Sequence, residues 1–304
     1  MHTFRKALIT GGSGFLGKAM VRELQRCGFD VFIFDREYSK EANHLRGDIM
    51  NPNDVSAAIK GCDIVFHIAG LLGTSELIEQ NKEAVNVNIL GTVNILEACI
   101  HHGVQRFFYP TKPNEWRNTY SITKKAGEEF AAMFYDIHGL DVRILRWLNA
   151  YGPGQKALPV RKAVPVMIIQ ALMNQDITVW GTGEQPVDLI FTEDLAKISV
   201  AFTLADALDA TVRDTGLTHR LTVNALAGMI ISLTHSQSRI VHKPMRVGED
   251  QNKPVELLPN QDVATLLHRS ESGTPLEEGM RQTIQYYQSL PPSTLQRVIN
   301  FYKE

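Results

Sequence analysis

A tyrosine and a lysine lie four residues apart in the stretch FFYPTKPNEWRNTYSITKKAGEEF, which covers residues 107–130. On a helix Tyr120 and Lys124 share a face, because residues i and i+4 are one turn apart. A free tyrosine has a pKa of about 10, so at neutral pH it is a poor base. A nearby ammonium favours the phenolate and lowers that pKa. The pair is therefore a candidate for general-base chemistry, in which Tyr120 takes a proton from a substrate hydroxyl.

Glycines at a regular spacing lie near the start of the chain. The stretch ALITGGSGFLGKAMVREL contains Gly12-x-Gly14-x-x-Gly17 and also the wider spacing that begins at Gly11. It follows a strand-like run and opens a helix-like one, which is where glycines let a backbone approach a pyrophosphate at a helix N-terminus. The next strand-like run ends at Asp35, about 20 residues on, where a carboxylate binds the ribose hydroxyls of NAD. Together these features predict a dinucleotide site.

The acidic residue also indicates which dinucleotide is bound. Asp35 would repel the 2′-phosphate of NADP, although Arg36 beside it could offset the repulsion, so NAD is favoured. With NAD present, hydride can leave the substrate carbon whose hydroxyl gives its proton to Tyr120. Lys124 can also hold the nicotinamide ribose. Without the glycine pattern the Tyr-Lys pair would be read as an ordinary surface pair.

Strand-like and helix-like segments alternate through the first half of the chain. The strand-like runs are KALIT, DVFIF, CDIVFHIAG, VQRFFY and LDVRILR. This rhythm predicts parallel βαβ units, and hence an α/β fold with a Rossmann-type doubly wound sheet. Beyond about Tyr151 the pieces are shorter. We expect an NAD-binding domain over 1–160 and a smaller α+β substrate-binding lobe over 161–304, from which part of the chain can return to the first domain.

Composition narrows the classes of function. The 304 residues are 44% hydrophobic and 21% charged, with a formal net charge of −2. This balance gives no reason to expect nucleic acid or a membrane as a partner, and no apolar run approaches the roughly 18 residues of a membrane span. The N-terminus enters a strand-like run at once, so no signal peptide is expected. Cys27, Cys62 and Cys99 lie far apart in apolar contexts, which predicts buried free thiols in a reducing cytoplasm and no metal site.

Further motifs run through almost the whole chain. They are TGGSGFLG, GDIMN, HIAG, NILGTVNILEAC, YSITK, RWLNAYGPGQ, WGTGEQPVDLIFTEDLA and RVGED. In combination they resemble the extended short-chain dehydrogenases/reductases, in particular the NAD-dependent epimerase/dehydratase family that acts on nucleotide sugars. The resemblance implies that Asp48 contacts adenine, that Ile68–Gly70 line the cofactor and that Asn88 supports the active-site helix. It also implies that Asn149 contacts nicotinamide and substrate and that Arg246 binds the substrate's diphosphate.

The predicted site therefore has three sets of residues. The catalytic set is Tyr120, Lys124 and Thr111. The cofactor-binding set is Gly11, Gly14, Phe15, Leu16, Gly17, Asp35, Arg36, Asp48, Ile49, Ile68, Ala69, Gly70, Asn88 and Lys124. The substrate-binding set is Asn149 and Arg246.

The sequence departs from the family pattern just before the tyrosine. Family members usually carry two or three Ser or Thr residues after the fifth strand, and then a long loop. Here only eight residues separate Thr111 from Tyr120. Lys112 stands where the catalytic hydroxyl is usually found, one residue after Thr111. Thr111 is assigned to that role, with Lys112 as an alternative donor to the developing oxyanion and Ser121 as an alternative hydroxyl.

A second departure concerns the substrate's diphosphate. Many relatives carry an arginine just before the aspartate of GTGEQPVDLIF, where this chain has Val187. One of two expected anion clamps is therefore missing, while Arg246 keeps the other. Arg161 and Lys162 could compensate, although a solvated loop is the favoured interpretation of that pair.

These details rank the possible reactions. A dehydratase of this family places Asp-Glu directly after the catalytic threonine, where this chain has Lys112-Pro113. A 4-epimerase needs only the tyrosine, a tightly held NAD and room for the keto intermediate to turn over, so it is favoured. A keto-sugar reductase is the nearest rival. A hypothesis of another class is a catalytically silent, dinucleotide-sensing scaffold on the same fold.

Two long helices predict a partner subunit. The helices 82–102 and 119–138 carry apolar residues on more than one face, and such helices need a second partner besides their own sheet. These residues are Val85, Ile89, Val93, Leu96, Phe130, Met133 and Phe134. In related enzymes the two helices pair with their copies, so a homodimer with two-fold symmetry is expected.

Overall fold

The computed structural model describes residues 4–113, 115–206, 208–215, 219–250, 252–253, 255 and 273–302. The strands are β1 Lys6–Thr10, β2 Asp30–Asp35, β3 Asn43–Arg46, β4 Ile64–His67, β5 Arg106–Thr111, β6 Asp141–Arg146, β7 Asn149–Tyr151, β8 Ile177–Trp180, β9 Pro186–Phe191, β10 Arg213–Asp214, β11 His219–Thr222 and β12 Ile240–Lys243. The helices are α1 Phe15–Arg26, α2 Pro52–Ile59, α3 Asn81–Val85, α4 Gly91–His102, α5 Thr119–His138, α6 Ala163–Leu172, α7 Thr192–Leu204, α8 Val223–Thr234, α9 Leu276–Gln288 and α10 Pro292–Phe301.

Seven strands form the central sheet of the first unit. Their order is β10-β6-β5-β4-β1-β2-β3, and every neighbouring pair is parallel. The order changes direction between β1 and β4, and doubly wound sheets bind ligands at that point, outside the carboxyl ends of the strands. The predicted Rossmann-type fold is confirmed.

The central strands read as continuous apolar runs because helices cover both faces of the sheet. Leu8, Val65 and Phe107 are fully buried, and they pack into one core with residues of α2, α4 and α5. The ends of β1, β2, β4 and β5 are thereby held at one edge of a rigid sheet. That edge carries most of the residues predicted to do chemistry.

The long helix predicted over 82–102 is interrupted in the structure. A π-helical turn, Asn86–Leu90, separates α3 from α4. Such turns insert an extra residue and are common at functional sites. The turn contains Asn88, which is only 2% exposed.

The chain divides after Leu148, and the second unit begins at Asn149. It contains a three-stranded sheet, β11-β9-β7, and the parallel pair β12-β8. Helices α6, α8, α9 and α10 contribute its core. The predicted boundary at 160 falls inside this unit, while β10 returns to the first unit because it pairs with β6.

Two further features bear on the sequence predictions. Among the helices that the structure describes, none is both long and apolar enough to cross a bilayer. Cys62 and Cys99 are buried as predicted, whereas the prediction for Cys27 is wrong because its side chain is exposed. Cys27 follows the last residue of α1, where the chain turns at the surface.

Candidate active site

The glycine turn between β1 and α1 is closely packed. Gly11 has a φ of 73°, which is the left-handed region that favours glycine, and a Cβ on it would lie 2.8 Å from Ala69 N. A Cβ on Gly17 would collide with the backbone of Gly11 and Gly12. Helix α1 begins directly after Gly14, and no side chain caps its N-terminus. The first amides of α1 are therefore open to an anion such as a pyrophosphate.

Asp35 is fixed beside this turn at the end of β2. Its carboxylate accepts hydrogen bonds from Ser13 N and Glu37 N, both at 3.0 Å. Each carboxylate oxygen keeps capacity for a further donor, such as a ribose hydroxyl. Arg36 forms an ion pair with Asp48, at 3.9 Å from Nη1 to Oδ2. The tight glycine turn and the oriented carboxylate fit an NAD molecule.

Asn88 holds the backbone that follows β4. Its Oδ1 accepts from Leu71 N at 2.7 Å, and its Nδ2 donates to Leu71 O at 2.9 Å. The same Nδ2 donates to Thr123 Oγ1 on α5, at 3.0 Å. These two bonds fix the backbone directly after the predicted cofactor-lining residues, Ile68, Ala69 and Gly70. Asn88 thus connects that backbone with the helix that carries the Tyr-Lys pair.

A buried chain of hydrogen bonds through His67 also holds the backbone that follows β4. Thr92 Oγ1 lies 2.7 Å from Asn88 O and must donate to it, because a carbonyl only accepts. His67 Nε2, at 3.0 Å, must then donate to Thr92. On the far side of the ring, Thr10 Oγ1 accepts from Ala69 N at 3.1 Å and donates to His67 Nδ1 at 2.7 Å. His67 is thereby the neutral Nε2–H tautomer, and burial lowers its pKa to about 3.

Sequence reasoning quoted His67 only as part of a motif and missed this role. The signal available was the short spacing between His67 and Ala69. The partners Thr10 and Thr92 carry no such signal, because β1 and α4 bring them to the ring only in the folded chain.

Tyr120 and Lys124 lie on the first turns of α5. Asn118 caps this helix, because its side chain accepts a hydrogen bond from Ser121 N at 2.8 Å. The first backbone N–H groups of a helix have no partner within the helix, and this bond gives one of them an acceptor. The ammonium of Lys124 lies 3.9 Å from the centroid of the Tyr109 ring, and the Tyr109 hydroxyl donates to Lys124 O at 3.2 Å. The predicted pair is therefore anchored to β5.

Burial opposes the lowering of the Tyr120 pKa that is expected from a nearby ammonium. Burial raises the pKa of Tyr120 to about 12. Burial also lowers the pKa of Lys124 to about 7, an effect that the carboxylate of Glu128 partly offsets. Desolvation raises the one pKa and lowers the other because it penalises the charged form of each group.

The part of the chain between β5 and α5, of which residues 112–113 and 115–118 are described, is called here the β5–α5 segment. The ammonium of Lys112 lies 4.9 Å from the centroid of the Tyr120 ring and 5.4 Å from that of Trp116. Thr111 ends β5, is 3% exposed and accepts from Trp147 N through its carbonyl at 2.9 Å. Ser121 is also buried, and its hydroxyl has no hydrogen-bond partner among the described residues. Of the three alternatives, Lys112 is the one seen against the Tyr120 ring.

The second unit carries the two predicted substrate-binding residues. Asn149 lies on β7, and its Nδ2 donates to Asp188 O at 3.2 Å. Arg246 pairs with Glu249, at 3.4 Å from Nε to Oε1, and its side chain is 11% exposed. Arg161 stacks on Tyr302, with its guanidinium carbon 3.8 Å from the ring centroid. That contact gives Arg161 a packing role within the unit.

The remaining predicted residues contact α4 or begin α1. Ile49 is 7% exposed, and a Cβ on Gly91 would lie 2.7 Å from its Cδ1. The carbonyl of Ile49 accepts from Asn94 Nδ2 at 2.9 Å. Phe15 and Leu16 form the first turn of α1. The first unit thus contains every residue of the predicted cofactor-binding set.

Comparison with known proteins agrees with this geometry. A curated relative is a UDP-N-acetyl-alpha-D-glucosaminuronate decarboxylase from Bacillus cytotoxicus, which is 28% identical over 94% of this chain and 98% of its own length. Among solved structures, the Thermus thermophilus UDP-glucose 4-epimerase in complex with NAD superposes with a TM-score of 0.83, at 21% identity, over 94% of this chain and all of its own. MoeE5 in complex with UDP-glucuronic acid and NAD gives 0.84, at 24% identity, over 93% and 99%.

The family assignment rests on a match over about two thirds of the chain, which is much longer than any single motif. Residues 7–211 match the NAD dependent epimerase/dehydratase family, a stretch that begins in β1 and includes both the glycine turn and the Tyr-Lys pair. The chain belongs to the NAD-dependent epimerase/dehydratase family.

Proposed function

We propose that the protein is an NAD-dependent nucleotide-sugar epimerase that inverts a sugar carbon, C4, through a keto intermediate. The observation that carries the proposal is the placement of Tyr120 and Lys124 on one face of α5, in the same unit as the glycine turn and Asp35. Known members of the family that resemble this chain include a UDP-glucose 4-epimerase bound to NAD and a decarboxylase of a nucleotide-linked uronic acid. These names support an enzyme that acts on nucleotide sugars.

The chain's own residues supply binding and proton transfer. When bound, NAD supplies the hydride acceptor and donor. The glycine turn and the amides of α1 would hold its pyrophosphate, and Asp35 would bind its ribose hydroxyls. Asn88 and His67 hold the backbone at Ile68–Gly70 in place against it.

Tyr120 serves as the proton acceptor for the sugar hydroxyl and returns the proton after inversion. Because burial holds its pKa near 12, the phenol needs a neighbouring positive charge to act as a base at neutral pH. Lys124 is the cation one helical turn away that can provide it. The same ammonium can donate to the nicotinamide ribose, which couples cofactor binding to activation of the base.

The alternatives differ in what they require beside Tyr120. Dehydration needs an acid and a base next to the catalytic hydroxyl, and the β5–α5 segment begins with Lys112-Pro113 instead. A keto-sugar reductase would use the same tyrosine with a cofactor that is exchanged in each turnover. A silent sensor would bind NAD and leave every sugar unchanged.

One incubation separates these cases. The purified protein is mixed with UDP-linked hexoses and hexuronic acids, the products are separated by chromatography, and reduced nicotinamide is followed by its absorbance. We expect a C4 epimer without net accumulation of reduced cofactor, and NAD identified by mass spectrometry in the protein as purified. Bound NAD with no turnover of any sugar would instead favour the sensor.

Arg246 and Asn149 are proposed to bind the nucleotide sugar. The support for Arg246 is its charge and its orientation by Glu249, since a guanidinium can bind a diphosphate through two hydrogen bonds. Arg246→Met should raise KM for the sugar nucleotide about tenfold or more and leave NAD bound. Arg239→Met is the matched control, because Arg239 pairs with Asp176 and is 83% exposed. Equal effects of the two variants would contradict the assignment.

We also propose that two copies associate through α3–α5. Val85, Leu90 and Ile122 are 41%, 49% and 60% exposed, which supports an apolar contact with another copy. Leu96 and Phe134 do not add to it, because they are buried in the core of their own unit. Sedimentation should give a dimer at micromolar concentration and a monomer for Ile122→Asp. A monomeric parent protein would contradict this proposal.

A further inference from the structure

The ammonium of Lys124 lies against an aromatic ring of the central sheet. Its distance to the ring centroid of Tyr109, on β5, is 3.9 Å, well inside the roughly 6 Å over which a ring face attracts a cation. We propose that Tyr109 is a positioning residue, whose ring face holds Lys124 charged and in place one helical turn from Tyr120. This inference rests on the proposed function, because it names the group on which the activating cation depends.

Close packing of α5 on β5 fixes the ring beside the ammonium. Tyr109 is 1% exposed, and its hydroxyl donates to Lys124 O at 3.2 Å. A Cβ on Gly127, three residues after Lys124, would collide with that hydroxyl. Glycine inside a helix is less stable than alanine, yet here it leaves the room that the tyrosine needs. The hydroxyl thus sets the position of the ring, and the ring face meets the charge.

The charge of Lys124 is not held by an ion pair within its helix. Lys125 pairs with Glu128 and with Glu129, and of the ion pairs that the structure describes on α5 none includes Lys124. Burial lowers the pKa of Lys124 to about 7, and the carboxylate of Glu128 offsets this only in part. A ring face attracts an ammonium and has little attraction for the neutral amine, so the ring favours the charged form.

The other ionisable groups near this ammonium come from β4, from α5 and from the β5–α5 segment. The ring of His67 lies 6.1 Å from that of Tyr109 and stays neutral, because burial lowers its pKa to about 3. Burial raises the pKa values of Tyr109 and Tyr120, so neither phenol titrates near pH 7 in the protein alone. Lys112 lies over the ring of Tyr120 and is a second cation of the cluster. Changes confined to the Tyr109 ring leave these groups in place.

The test follows the protonation of Lys124 in the NAD-loaded protein. Lysine labelled with carbon-13 at Cε changes its NMR shift when the ammonium loses its proton, and the signal of Lys124 is identified by its absence from Lys124→Met. Tyr109→Phe keeps the ring and should have the titration midpoint of the parent protein. In Tyr109→Leu the midpoint should fall by about 0.5–1.5 pH units, because the charged form has lost the attraction of the ring.

A neighbouring aromatic residue supplies the matched control. Phe107 lies two residues earlier on the same face of β5, and its ring stacks on that of Tyr109 with centroids 6.5 Å apart. Phe107→Leu should leave the Lys124 midpoint unchanged. If Tyr109→Leu does not fold, phenylalanine with one, two or three ring fluorines at position 109 keeps the ring shape and weakens its attraction for a cation. The midpoint should then fall with each added fluorine.

The same variants separate this inference from the proposed function. The kcat for epimerisation needs the protonated lysine, so its alkaline limb should move to lower pH in Tyr109→Leu and stay in place in Phe107→Leu. An unchanged Lys124 midpoint in Tyr109→Leu or across the fluorinated series, or an equal shift in Phe107→Leu, would overturn the inference and leave the epimerase proposal standing. The expected shift of the midpoint in a protein that turns over no sugar would uphold the contact between ring and charge and overturn the proposed function.

Discussion

Two regions of the first unit meet at the carboxyl edge of the sheet, and they are built in different ways. The glycine turn and the backbone after β4 are fixed by several contacts. Gly11 packs against the backbone of Ala69, the Asn88 side chain bonds to the backbone of Leu71, and the His67 ring is held between the side chains of two threonines. In the β5–α5 segment the ammonium of Lys112 lies over the rings of Trp116 and Tyr120.

That difference has a physical consequence. The backbone must approach a pyrophosphate closely, so the glycine turn and the backbone after β4 tolerate few other residue types at each position. In the β5–α5 segment a single side chain supplies charge or a proton. Another side chain can replace it there without changing the surrounding backbone. The departure from the family pattern just before Tyr120 falls on this second side.

The largest expected effect lies on the reacting side. Tyr120→Phe should lower kcat by about 10²–10⁴, because it removes the group that accepts the proton, and it should leave NAD bound. Tyr135→Phe on the same helix is the control and should turn over like the parent protein. Rates would be measured with the sugar nucleotide that the parent epimerises best. Full activity of Tyr120→Phe would place the base elsewhere.

The next effect tests the main-chain side. A Cβ on Gly17 would lie 2.6 Å from Gly12 Cα, so Gly17→Ala should cost about 1–3 kcal/mol of unfolding free energy and release NAD. Gly228→Ala on α8 is the matched control, since nothing lies within 4 Å of its Cβ position and alanine favours a helix by up to about 1 kcal/mol. Urea unfolding and the NAD content of both variants would be compared. If Gly17→Ala kept NAD and stability, the main-chain account of this region would fail.

A smaller effect on stability is expected from Lys124, which is proposed to serve both the cofactor and the base. Burial lowers the pKa of Lys124 to about 7 from its ordinary 10.5, so between those values the unfolded chain binds more protons than the folded one. The unfolding free energy of the parent should then rise with pH across that window. Lys124→Met lacks this titrating group, so its unfolding free energy should not rise with pH in the same way. The difference in unfolding free energy, variant minus parent, should therefore be greatest near pH 7 and should decline towards pH 10.5. Lys125→Met should not show that decline, and a parallel pH dependence of Lys124→Met and parent would refute the burial argument.

Sequence reasoning predicted the sheet well, because the apolar runs of its strands leave a periodic signal. Helix α1, Phe15–Arg26, lies in the helix-like run that the glycine pattern opens, and the strands from β4 to β6 follow their apolar runs. Short strands such as β3 and β10 carry too few residues for a pattern, and they form because a neighbouring strand pairs with them.

The finer parts of the site were out of reach for a different reason. The direction of the Tyr120 pKa depends on burial, which a sequence does not display. The partners of His67 come from β1 and α4, separated from it by 57 and 25 residues. The contact of Lys112 with Tyr120 depends on the path of the β5–α5 segment, for which the family pattern provides no template.

The most direct test of the central claim follows one hydrogen atom. A UDP-sugar that the protein accepts is labelled with deuterium at C4, and the product is analysed by mass spectrometry and NMR. If Tyr120 handles the proton while NAD takes and returns the hydride, the C4 epimer should keep its deuterium at C4. Deuterium lost to solvent, deuterium moved to another carbon, or the absence of any C4 epimer would contradict the account.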